Sequence, residues 1–494
     1  MLRQPEALFT EKILHIELVY EPIFDSCSAA TLLRVARTCR AAHRAIKAYS
    51  RVAFDVNRLL SRFFPSKNAS CSSICTMDHE HEQAYDRARA FRSLQARTGT
   101  VISGSCALQF FDRSIYPESD LDLYVHMCHR QEVGRWLIQE GYVYEPTSHQ
   151  DKNFEFEVAE EHDTFWDEYF GEISSIFKVF NFKKRVTKLE LPLDDVKHYS
   201  VAGLQSSEGR GELRVQLIVP KETPMEVILG FHSTCVMNVI SYHKAYCLFP
   251  QATLEERLAL FTSSPSEDSL SRNTDQYRCA ISKYTERGFT FIRGSRISSA
   301  ERGAGTTHKD LQDDLACRTG ALSLTNHSVR APRLPSATSS VQASSATMAA
   351  SRSAPAPKHS RKSRKSARRS KPTFRFGERW IDDSDSWVLP LPLTGVVLPN
   401  TARTSTTSLV RDPVAICNWE MRREYVNDRV VMHFEVIEGN TLQYKYLVHD
   451  PKLLEDLRAE FTSMRGPWVD LSANGVYFDE ELWGLCKEFL KYAE

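Results

Sequence analysis

TVISGSCALQFFDRSIYPESDLDLYV, residues 100–125, is the stretch on which the fold turns. Thr100 to Ile102 are β-formers. Gly104 permits a sharp turn, and the backbone amides near Gly104 and Ser105 suit an anion. Cys106 to Phe111 suits a short helix, and Pro117 interrupts the connection that follows. Asp120-Leu121-Asp122-Leu123-Tyr124-Val125 then alternates with period two, so the two aspartates share one face of a strand while Leu121, Leu123 and Val125 face a core. Two carboxylates side by side repel each other unless a cation lies between them.

The chemistry that uses such a pair is phosphoryl transfer with two Mg²⁺ or Mn²⁺ ions about 3.5–4 Å apart. The Gly104-Ser105 turn, followed by Ser119-Asp120-Leu121-Asp122-Leu123 and with Arg113 in the connection, resembles the nucleotidyltransferase superfamily, the fold of polymerase-β-like enzymes. The resemblance covers about 200 residues, its motif about 25. It implies that Asp120 and Asp122 hold the metals. It also implies that Gly104, Ser105, Arg113 and Ser119 bind an NTP. The family carries a third carboxylate on the strand beside the aspartate strand. In GELRVQLIV, residues 211–219, that place falls to Gln216, which brings no charge. Glu212 precedes the expected strand and serves only if the register shifts; Glu190 is more distant. Two dications carry four charges and two aspartates balance half, so the expectation is a degenerate site in a binding or adaptor module. The alternative is an active enzyme moving an NMP from an NTP to a hydroxyl.

Working outward, residues 1–65 read as helical. Leu8 to Leu14 opens with Thr10 as a cap, and a second helix is expected from Ala30 to Phe64, with Leu32, Leu33, Val35, Ala36, Cys39, His43 and Ile46 as its stripe. This segment resembles an F-box, although Phe9 stands where a proline is usual. The resemblance implies docking on the adaptor of a cullin–RING ubiquitin ligase; a small helical cap on the next domain is the plainer reading. Residues 66–95 form a linker and a lead-in helix, Glu80 to Ala96. Within the linker, Cys71, Cys75, His79 and His81 are metal-ligand types spaced too closely for a normal zinc loop.

The nucleotidyltransferase-like domain is expected over 96–293. Arg130 to Glu140 reads as an amphipathic helix and Ile173 to Phe182 as a strand, followed by a basic patch at Lys183, Lys184, Arg185 and Lys188. Ser241 to Phe249, Thr253 to Phe261 and Asp275 to Tyr284 read as helices. His232 and Asn238 are polar residues in apolar surroundings and need partners.

Composition changes over 294–372. Large apolar residues nearly vanish, and from Cys317 to Pro372 there is no Asp or Glu. Such a segment is expected to be a disordered linker. Its end, Lys358 to Lys371, is densely basic and reads as an import-receptor or nucleic-acid contact. Residues 373–494 read as a small α+β module. Strands are expected at Phe374 to Phe376 and Ser386 to Leu389, a hairpin turning at Gly439-Asn440, and helices at Pro451 to Met464 and Glu480 to Tyr492.

The whole is thus expected to be α+β: a nucleotidyltransferase-like mixed sheet with flanking helices, an N-terminal helical segment, a basic linker and a C-terminal module. Fungal proteins that combine these parts are similar. The 494 residues carry 63 Lys+Arg and 63 Asp+Glu, so no bulk charge favours nucleic acid or membrane. No apolar leader follows Met1 and no run is long enough to span a bilayer, so an intracellular protein, nuclear or cytoplasmic, is expected. The 12 cysteines suit a reducing compartment.

Overall fold

The computed structural model describes residues 12–65, 85–116, 119–160, 175–187, 210–262, 272–294, 373–399, 412–424, 429–439 and 442–463, with Asp479, Leu482 and Cys486. The expectations for Leu8 to Thr10, Cys71, Cys75, His79, His81, Glu190, the 295–372 linker with Lys358 to Lys371, and most of Glu480 to Tyr492 lie outside these residues.

Among the described residues the first α-helices are α1 (Glu17–Asp25), α2 (Ala29–Ala36), α3 (Arg40–Ala53) and α4 (Val56–Ser61). The expected single helix from Ala30 to Phe64 is therefore three. Each has its own N-cap: Ser28 accepts from Thr31 N, Cys39 Sγ from Ala42 N and Asp55 from Asn57 N. A side chain that satisfies free amides starts a new helix at each of these points. Tyr20, Phe24, Leu32, Ala42, Ile46 and Tyr49 close a small core among α1–α3. Leu60, Phe63 and Phe64 instead join Phe91 in the main core.

The lead-in helix is α5 (Asp86–Thr98), ended by Gly99 at φ 63°. Then come β1 (Val101–Ser103), α6 (Gly104–Asp112), β2 (Leu121–Tyr124), α7 (Arg130–Gln139), β3 (Val143–Glu145), α8 (Phe154–Ala159), β4 (Ile176–Thr187), β5 (Arg210–Pro220), α9 (Pro224–Leu229), β6 (Asn238–Ile240), β7 (Lys244–Cys247), β8 (Leu258–Leu260), α10 (Arg272–Glu286) and β9 (Thr290–Ile292). The last portion adds β10 (Gly377–Trp380), β11 (Trp387–Pro390), β12 (Asn418–Glu424), β13 (Arg429–His433), β14 (Glu435–Ile437), β15 (Tyr446–Val448) and α11 (Pro451–Ser463).

The fold is α+β, built on an eight-stranded mixed sheet in the order β11-β7-β6-β1-β2-β5-β4-β3. Only the β2–β5 pair is parallel within it. Leu121, Leu123, Val215, Leu217, Phe180 and Phe182 fill the core on one face.

Several elements differ from expectation. Ser241 to Phe249 contains a strand, β7, because its short apolar run is covered by β6 on one side and β11 on the other; periodicity cannot separate such a run from a buried helix. Thr253 to Phe261 holds only the end of a π-helical turn, Gln251–Glu256, broken by Arg257 at φ 53°, and then β8. Phe374 to Phe376 precedes rather than forms its strand. The hairpin pairs Ile437 with Tyr446, so its loop is wider than Gly439-Asn440. Residues 373–494 are not set apart: β11 is an edge strand of the main sheet, and all the described residues belong to one compact unit, 1–302 with 373–494. Among the described residues no helix is long and apolar enough to cross a membrane.

Candidate functional site

β1 and β2 run antiparallel, with Ser103 opposite Asp122. Between them the chain turns at Gly104, whose φ is +67°. A Cβ there would lie 2.5 Å from Asp122 Oδ2, so glycine is required both by the backbone and by the carboxylate it makes room for. Ser105 and Ser119 join hydroxyls beneath the connecting loop. Gln109 fixes that loop, donating to Ser105 O at 3.1 Å and accepting from Tyr116 N at 2.8 Å.

Asp120 and Asp122 lie two apart at the start of β2, both partly buried, as their alternation with Leu121 and Leu123 dictates. Among the described residues no donor is hydrogen-bonded to either carboxylate. Burial, and then the charge of Asp120, push Asp122 up to about 7, against a smaller opposing effect of Lys283. Asp120 is also raised by burial, opposed by Arg214 and Lys283. Among the described residues these half-buried, mutually repelling oxygens have no donor, and they are a hard donor set of the kind that could hold one Mg²⁺ or Mn²⁺ ion.

The parallel register sets Gln216 directly beside Asp122. Gln216 is thus the cross-strand neighbour of Asp122, and its Nε2 donates to Asn181 Oδ1 at 3.3 Å. A row Ser103–Asp122–Gln216–Asn181 crosses four strands. Glu212 does not substitute. It lies inside β5 rather than before it, opposite Arg185, four residues or about 13 Å from Gln216 along the strand, and it pairs with Arg214 at 2.9 Å. Among the described residues no three His, Cys, Asp or Glu side chains are grouped to hold a metal. Two carboxylates carry at most two negative charges, which balance one dication and not two.

Arg113 is not at the carboxylates. It caps α6 in the left-handed conformation, φ 52°, and its guanidinium donates to Phe24 O at 3.0 Å, to Tyr49 Oη at 2.6 Å and to Cys27 O. Its Nη1 and Nη2 are engaged by the N-terminal helices and the turn after α1, rather than by the aspartate pair as the resemblance implied. Lys183, Lys184 and Arg185 of the basic patch lie in β4, where Lys183 pairs with Glu145 and Lys184 Nζ donates to Glu140 O at 2.9 Å, and Lys188 lies outside the described residues. His232 meets Ser233 Oγ at 2.7 Å and is pushed down to about 4 by burial. Asn238 Nδ2 donates to Cys235 O at 2.9 Å. Both have structural partners.

Sequence reasoning missed Asn181, Arg214 and Lys283. Asn181 carried a signal, a polar residue between Phe180 and Phe182 in a period-two pattern. Lys283 carried none, because only the packing of α10 brings it near. Compared with known proteins, the chain matches no family model, no curated protein and no solved structure.

Proposed function

We propose that the β1–α6–β2 platform is a nucleotidyltransferase-like nucleotide-binding site with a weakened metal set, used for binding rather than turnover. The observation that carries this reading is the register pairing of Asp122 with Gln216: an uncharged amide stands where a third carboxylate would balance a second ion. Asp120 and Asp122 hold one Mg²⁺ or Mn²⁺, and the amides at Gly104 and Ser105 face the phosphates. When bound, the ion supplies charge neutralisation for a triphosphate. The residues of the chain orient the ligand. Gly104 keeps the backbone close, and the Ser105–Ser119 bond holds the loop between the turn and the aspartates.

The test is thermal stability of the full chain with each NTP and Mn²⁺. At a hundredfold the dissociation constant, a ligand adds about 2.7 kcal/mol, a shift that Asp120→Asn/Asp122→Asn abolishes. No shift with any nucleotide overturns the reading. NMP transfer by the unaltered chain would instead favour the enzyme, whereas transfer that arises only in Gln216→Asp supports a degenerate site.

A second reading concerns residues 1–65. Apolar side chains stand out of α1 and α2: Leu18 is 84% exposed and Leu33 50%, with Ile16, Val19 and Ile23 beside them in the sequence. These exposed apolar side chains support docking on the cullin–RING ligase adaptor. Micromolar binding of the full chain to that adaptor, lost on Leu18→Asp/Leu33→Asp, is the expected result; failure to bind removes the reading.

A further inference from the structure

Glu420 on β12 lies opposite His433, the last residue of β13, so their side chains leave the same face of that pair. His449 follows β15. Its Nε2 is 2.8 Å from Glu420 Oε2, and its Nδ1 is 3.1 Å from His433 Nδ1. The two rings cross at 87° with centroids 5.2 Å apart.

This arrangement fixes protons. A carboxylate at Nε2 holds the hydrogen there, so Nδ1 of neutral His449 is a lone pair aimed at His433. The ring is anchored from its backbone as well, because Asn418 Oδ1 accepts from His449 N at 2.6 Å and from Asp450 N at 3.1 Å. Arg422 Nε donates to the same Glu420 oxygen at 2.5 Å and holds the carboxylate in place. His433 is exposed, so an ion reaches it from solvent.

We propose that His433 and His449 bind a transition-metal dication of the zinc, nickel or copper class through their Nδ1 atoms, with Glu420 as the carboxylate behind His449. A carboxylate–histidine–metal order raises ligand basicity and fixes ring orientation. Two metal–imidazole bonds of about 2.0–2.1 Å to nitrogens 3.1 Å apart subtend roughly 100°, near what a tetrahedral or square-planar site requires. Binding displaces the proton between the two rings to solvent, and water completes the coordination. Imidazole nitrogen favours copper, nickel and zinc, whereas the oxygens of Asp120 and Asp122 favour magnesium and manganese, so the two sites are separable by metal.

The test is titration of the full chain with Cu²⁺, Ni²⁺ and Zn²⁺ against a competing chromophoric chelator, with the electron spin resonance of the Cu²⁺ form. One site is expected to weaken at least tenfold in His433→Ala and in His449→Ala, and about tenfold in Glu420→Gln. It stays unchanged in Asp120→Asn/Asp122→Asn. The copper spectrum should show nitrogen splitting that His433→Ala reduces. Because Cys71, Cys75, His79 and His81 offer ligands of their own, the deciding quantity is the site lost with the histidines. Unchanged stoichiometry and affinity in His433→Ala/His449→Ala overturns the proposal, as does binding weaker than about 1 mM in the unaltered chain. The thermal midpoint of each metal-free variant checks folding, and His433→Asn replaces His433→Ala if that variant fails to fold.

Discussion

Asp122 keeps its proton well into the pH range in which a free aspartate is ionised. Burial raises it to about 7, and the neighbouring Asp120 adds to the shift. The folded state therefore holds a proton that the unfolded chain releases near pH 4. The stability this contributes is present below pH 4 and is lost as pH rises through about 7. At 1.36 kcal/mol per unit, the loss from Asp122 is no more than about 4 kcal/mol. Asp122→Asn removes it. Urea unfolding at pH 5 and pH 8 should show the variant gaining on the unaltered chain at the higher pH; equal differences at both values would contradict the electrostatic account. The alternation around Asp122 was legible in the sequence, as was the need for glycine at 104. The absence of a donor for its carboxylate among the described residues was not, because that depends on which side chains the sheet brings beside β2.

Among elements, α6 links the candidate site to the N-terminal helices. Its first residue frees space for Asp122, and the residue after its end, Arg113, is bonded to α1, α3 and the turn after α1. Glu255 makes the complementary contact, accepting from Ser28 Oγ at 2.7 Å and Ala30 N at 2.9 Å at the start of α2. Arg113→Ala leaves two carbonyls and the Tyr49 hydroxyl without their charged donor, and a loss of about 3 kcal/mol is expected. Hydrogen exchange should rise in α1–α3 ahead of the sheet, while nucleotide affinity stays as it was. A large fall in affinity with unchanged exchange would return Arg113 to the ligand. From sequence Arg113 read as a loop cation; its true partners are 64 to 89 residues away and follow from how α1–α3 dock.

For the whole molecule, the chain closes on itself through its last third. β11 supplies the sheet edge next to β7, and Asp412, itself buried, accepts from Ser241 Oγ at 2.6 Å and Tyr246 Oη at 3.1 Å. His243 Nδ1 lies 3.5 Å from the same carboxylate. Asp412→Ala leaves the buried Tyr246 hydroxyl without its acceptor, while Ser241 Oγ keeps Lys244 O at 3.1 Å, and about 1–3 kcal/mol of destabilisation is expected. The measurement is chemical unfolding followed by both near- and far-ultraviolet circular dichroism. One cooperative transition shifted as a whole supports a single unit; an early separate transition of residues 373–494 would restore the separate module.

The sequence by itself determined the local pieces whose information is contiguous: the strand–turn–helix–strand of residues 100–125, the shared face of Asp120 and Asp122, the helix at 451, and the α+β class. Each follows from periodicity, a cap or a glycine within a few residues. Only the tertiary structure decided what requires distant segments to meet. The partnership of Asp122 with Gln216 needs a parallel pairing of strands some ninety residues apart. The strand character of β7 needs β11 beside it, the role of Arg113 needs the docked helices, and the facing rings of His433 and His449 need two separate strand ends side by side. Side-chain pattern sets which face a residue takes; long-range register sets its neighbour, and the chemistry of these sites resides in the neighbour.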